Sequence, residues 1–66
     1  MNNAQKLRKL YKKTQNDIAD IISYPKPLYA AFELIKLKLP ESKLVMLSRY
    51  YNVSVDYLLS DSSNEK

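Results

Sequence analysis

Neither histidine nor cysteine occurs in the chain. That removes imidazole acid–base catalysis, thiolate nucleophiles, disulfides and ordinary zinc sites, because these chemistries need a ring nitrogen or a sulfur. A sequence without glycine also has no glycine-rich phosphate loop, and no two carboxylates stand at a spacing that suits a cleft. No enzymatic activity, metal or cofactor is expected. The chemistry left is that of cations and amides: 11 Lys+Arg stand against 7 Asp+Glu, for a net charge of +4. Two of the acids, Asp61 and Glu65, fall in a closing Ser/Asn-rich stretch. A basic small domain suits nucleic acid, an anionic membrane surface or an acidic protein. The same charge also serves solubility alone.

Those cations must be carried by helices. Proline appears three times, at Pro25, Pro27 and Pro40, and the rest is rich in Leu, Ile, Lys and Ala, which favours helices with short connections. The first helix is expected over 3–12, with Ala4, Leu7, Leu10 and Tyr11 forming its apolar stripe. Thr14 has the character of an N-cap, and Asp17 three residues on completes a carboxylate variant of the capping box. The second helix is expected over 15–22, burying Ile18, Ala19 and Ile22. Proline tolerates only a first turn, so a third helix starts at Pro25 or Lys26 and runs to 34, with Tyr29 and Phe32 inward.

Residues 35–39 alternate like a strand, but a lone strand has no partner, and an extended connection is expected. A fourth helix opens at Pro40 and Glu41 and runs to 51, burying Leu44, Leu47 and Tyr51. Ser54 caps a fifth over 55–59. The expected architecture is an all-α domain over 1–60, with 61–66 a disordered polar tail. A core this small has a thin stability margin, and without disulfides or metals it relies on dimerisation or good packing. No apolar run approaches the roughly 20 residues that span a bilayer, and the N-terminal residues are polar, so a cytoplasmic placement is expected.

Two segments carry a family resemblance. Thr14-Gln15-Asn16-Asp17-Ile18-Ala19-Asp20-Ile21-Ile22 resembles the T-Q-x-x-[LI]-A-x-x-[LI] signature of phage Cro/repressor-type (Xre-like) regulators. Asn52-Val53-Ser54-Val55-Asp56-Tyr57-Leu58-Leu59 resembles their closing G-V-S-x-D-Y-L-L, in the same register. The resemblance implies a compact five-helix lambda-repressor-like domain with a helix-turn-helix at the second and third helices. It also implies a structural ion pair between Arg8 and Glu33. Ser23 and Ile35 stand where the family has glycines, and small backbone shifts are expected to accommodate them.

As to function, the resemblance implies a DNA-binding transcriptional regulator of a bacterial host cell that occupies an operator as a homodimer. Gln15 and Asn16 would lie at a phosphate, near the start of the second helix, where free amides favour an anion. Lys26, Pro27, Leu28 and Ala31 match the positions that face bases in the major groove, Lys36 matches one just after that helix that often contacts the backbone, and Lys9, Lys12, Lys13 and Lys38 would add long-range attraction. Base edges display donors and acceptors, yet this set offers one lysine. An alternative is therefore open: an antirepressor or other protein-binding module that keeps the fold and holds a partner repressor. Tyr24, Leu28, Leu34, Ile35, Leu37 and Leu39 exceed what five short helices bury; they either form such an interface, or Leu34, Leu37 and Leu39 fold back onto the fourth helix and finish the core.

Overall fold

A computed structural model describes residues 2–60; the tail 61–66 lies outside the described residues. Five helices follow in order: α1 (Asn3–Leu10), α2 (Gln15–Ile21), α3 (Lys26–Glu33), α4 (Glu41–Tyr51) and α5 (Val55–Leu59). The domain is all-α, and α2 and α3, joined through residues 22–25, form the helix-turn-helix. No helix of the described residues is long and apolar enough to cross a membrane.

Starts and stops explain these bounds. The Asp17 amide donates to Thr14 Oγ1 and the Thr14 amide donates to Asp17 Oδ2, both at 3.0 Å, which closes the capping box. The bond from the Thr14 amide, helped by the Thr14 hydroxyl, favours the carboxylate and holds the exposed Asp17 below its ordinary range. Ser54 Oγ accepts from the Tyr57 amide at 3.0 Å and caps α5. The four longer helices end alike, each in a residue of left-handed backbone: Lys12 (φ 59°), Ser23 (φ 55°), Ile35 (φ 62°) and Asn52 (φ 58°). After each, the next amide reaches back into the helix: Lys13 to Arg8, Tyr24 to Ala19, Lys36 to Ala31 and Val53 to Ser48, at 2.9–3.0 Å. These are Schellman closures, which satisfy carbonyls the helix leaves free. Such a closure normally takes glycine. Here the chain makes four without one.

Several expectations are corrected by this geometry. The left-handed residues stop α1 at Leu10 rather than 12, α2 at Ile21 rather than 22, and α3 at Glu33 rather than 34. Leu10 leaves the apolar stripe and is 72% exposed, while Tyr11, past the helix end, lies partly exposed against Tyr51 with ring centroids 5.0 Å apart. Ser23 and Ile35 do not shift the backbone toward an ordinary conformation; they adopt the left-handed one. For a β-branched residue that is a steric outlier, and left-handed backbone costs an L-residue roughly 1–2 kcal/mol. Glycine lowers that cost but loses more entropy on folding, by about 0.4–1 kcal/mol. Ile35→Gly is therefore expected to stabilise the domain by about 0.5–1 kcal/mol, a rise in Tm of a few degrees in a domain this small, read by thermal denaturation.

The core joins all five helices through Ala4, Leu7, Ile18, Ala19, Ile22, Tyr29, Phe32, Leu39, Leu47, Tyr51 and Leu58, with Leu44 only partly buried against it. Leu39 thus folds back onto the core, whereas Leu28, Leu34, Ile35 and Leu37 remain exposed. The N-terminus is tied in by amides. Asn2 Nδ2 donates to the Phe32 carbonyl, Asn3 Nδ2 to the Tyr57 carbonyl and the Asn3 amide to the Ser60 carbonyl, each at 2.9 Å. Both side chains are buried, a role the polar N-terminal sequence does not announce.

Candidate nucleic-acid interface

The site grows from one buried carboxylate. Glu33, at the end of α3, has no solvent exposure, and burying an unpaired charge would cost several kcal/mol. Arg8 on α1 answers it in a two-point fork: Nε donates to Oε2 at 2.8 Å and Nη2 donates to Oε1 at 3.1 Å. The third nitrogen, Nη1, donates to the Lys13 carbonyl at 3.0 Å. Gln15 Nε2, from the first residue of α2, donates to Glu33 Oε1 at 3.1 Å. One guanidinium and one carboxylate therefore tie α1, the loop before α2, the start of α2 and the end of α3 to each other. The ion pair that the resemblance implied is present, and it also holds Gln15.

Electrostatics follow from the contacts. Burial alone would raise the Glu33 carboxyl, but the bonds from Arg8 and Gln15 outweigh it and hold the group below the usual carboxylate range. The bond to Glu33, partly offset by desolvation, raises Arg8 further above its already high value. Burial, together with the nearby Glu33 charge, pushes the Tyr29 phenol far above its ordinary range, so it stays neutral.

On the outer side of this network lies an open concavity lined by Arg8, Lys13, Thr14, Gln15, Asn16 and Lys26. Three of these side chains are cationic and none is acidic. Gln15 is half-buried, and Asn16 and Lys26 are exposed. The structure thus brings together Gln15, Asn16 and Lys26, drawn from the first residues of α2 and α3, and adds Lys13 and Thr14 to them. Pro27, Leu28 and Ala31 continue along α3 beyond Lys26, with Pro27 and Leu28 exposed and Ala31 partly buried. Lys36 and Lys38 are not part of this concavity. They sit on the connection after α3 and line a separate, apolar groove with Phe32, Ile35, Leu37, Leu39, Leu44 and Leu59. Charge alone marks Lys13 for long-range attraction; its place beside the starts of α2 and α3 comes with the Arg8 bond to its carbonyl.

Comparison with known proteins finds relatives named as helix-turn-helix-type regulators. The chain is 41% identical over 64 residues to the uncharacterized HTH-type transcriptional regulator YqaE of Bacillus subtilis (strain 168), covering 97% of this chain and 55% of that protein. It is 44% identical over 55 residues to the uncharacterized HTH-type transcriptional regulator YobD of the same organism, covering 83% of this chain and 49% of that protein. The chain spans about half the length of the curated relatives it matches. No protein-family model matches it. No solved structure matches it at a significant level. The chain is thus a helix-turn-helix domain similar, over nearly its whole length, to part of proteins that bear the name helix-turn-helix-type transcriptional regulator.

Proposed function

We propose that the chain is a DNA-binding transcriptional regulator that acts in the bacterial cytoplasm, occupying an operator as a homodimer in the manner of a phage Cro or repressor protein. The observation that carries this reading is the basic concavity beside α3. Lys13, Lys26, Gln15 and Asn16 offer cations and amide donors on one surface, as a phosphodiester backbone requires. Residues Lys26, Pro27, Leu28 and Ala31 of the adjoining helix then enter the major groove, whose width admits an α-helix. Lys36 and Lys38 extend the cationic surface toward the backbone beyond α3. Gln15 is held for this role by Glu33, and its carbonyl oxygen and second amide proton are left for other partners. The names of the two relatives support the same function.

The test is a fluorescence titration of the purified chain into random-sequence duplex between about 50 and 200 mM salt. Affinity is expected to fall steeply, with a slope of about −0.9 for each phosphate neutralised. An absence of salt-sensitive binding contradicts the reading.

A second reading has one specific observation in its favour. The apolar groove of about 520 Å³ is lined by exposed Ile35, Leu37 and Leu59. Ile35 carries backbone strain while 59% of its surface stays in water, so the folded chain alone gains little from it. A module that holds a partner repressor through this groove would use the residue. A partner that binds tightly while duplex DNA does not bind would favour that function.

A further inference from the structure

The exposed face of α3 is almost without hydrogen-bonding groups. Tyr29, Phe32 and Glu33 are buried, Ala30 and Ala31 are partly buried, and Lys26, Pro27 and Leu28 are exposed. Residues 27, 28 and 31 share one side of the helix through the i, i+3 and i, i+4 spacings. Lys26 belongs both to this helix and to the basic concavity, so a backbone held in the concavity brings an adjoining groove edge against Pro27, Leu28 and Ala31. Pro27 also lacks an amide proton that could reach a base acceptor.

We infer that α3 selects its sites by apolar contact of Leu28 and Ala31 with thymine 5-methyl groups, Lys26 supplying the one polar contact. This rests on the DNA-binding reading. In the major groove every base pair presents donors and acceptors, and thymine alone adds a methyl group. Leu28 set against a cytosine amino group would remove water from that donor without replacing its hydrogen bond, which is unfavourable. Against a thymine methyl, the same leucine buries apolar surface on both sides. Leu28 is 40% exposed and has that surface to give. The chosen half-sites are therefore rich in thymine where the centre of α3 lies, with at most one position read by a cation.

The experiment uses the whole chain and a preferred duplex selected by it from a random pool. Every thymine is then replaced by deoxyuridine, which removes the 5-methyl group and leaves the hydrogen-bonding edge unchanged. Affinity is expected to drop about fourfold for each contacted methyl, the effect of removing one such group from an apolar contact. Leu28→Ala, at an exposed position that leaves the fold intact, is expected to shrink the difference between the two duplexes. Tight binding with equal affinity for the thymine and uracil duplexes overturns the methyl inference and leaves DNA binding standing. Failure to select or bind any duplex overturns DNA binding itself, and the inference with it.

Discussion

Arg8→Ala is expected to remove much or all of the stability of the domain at room temperature. The substitution strands the Glu33 carboxylate, which has no solvent exposure, without its guanidinium. Removing one partner of a buried ion pair costs about 3–5 kcal/mol. A domain of this size has roughly 3–10 kcal/mol in total at ordinary stability per residue, so the loss takes up much or all of it. The Lys13 carbonyl also loses its donor, at 3.0 Å in the native domain. Urea denaturation followed by circular dichroism reads the effect. Replacing both residues, Arg8→Met with Glu33→Met, removes the two charges together and is expected to recover most of the stability, since buried pairs exchanged for apolar residues are often neutral. If the single variant is as stable as the parent, the pair is ornamental.

The same pair sets an acid limit. Glu33 is held below its ordinary value near 4.5. Its contribution to stability is therefore complete above that value and is lost as pH falls through the depressed folded value. Asp17, held down by its cap bonds, adds to the slope in the same direction. The double methionine variant is expected to keep only the shallower part of this acid dependence.

The second large effect is on binding, with stability left alone. Lys13→Glu together with Lys26→Glu should weaken duplex binding about a hundredfold or more near physiological salt. Each lysine removes one charge-assisted contact, and such contacts contribute about 1.5–3 kcal/mol, or tenfold or more apiece. Both side chains are exposed and neither is in the Arg8–Glu33 network, so denaturation midpoints should move little. The salt slope should flatten by about two units. Undiminished affinity with a steep slope would place the phosphates elsewhere.

Much of this was legible in the residues. The 3.6-residue spacing of Ile18, Ala19 and Ile22, and the placement of Tyr29, Phe32, Leu47 and Tyr51, mark the core correctly because burial of one helix face is a local pattern. Thr14 and Ser54 are readable for the same reason, each bonding to an amide three residues away. Helix ends were harder. The usual sign of a left-handed terminus is glycine; Lys12 gives no such sign, and at Ser23 and Ile35 only the family's glycines do. Leu10 fits the first helical stripe by spacing, because the turn that carries the chain away from it has no compositional mark.

The remaining misses are long-range. Asn2 and Asn3 look like a solvated start, and only the return of the chain to Phe32, Tyr57 and Ser60 gives them partners. In the candidate site, Gln15 and Lys26 come together because both stand at the starts of adjoining helices. Lys36, placed by the resemblance, and Lys38, placed by its charge, stand apart from these beside the apolar groove after α3. Charge alone does not say on which face a lysine emerges.

The most direct test of where this domain meets its ligand is a map of backbone amide shifts by nuclear magnetic resonance as duplex DNA is added. If the basic concavity and α3 form the interface, the largest changes fall on Lys13, Gln15, Asn16, Lys26, Leu28 and Ala31. Changes confined to Ile35, Leu37 and Leu59, or no changes at all at saturating duplex, would contradict it.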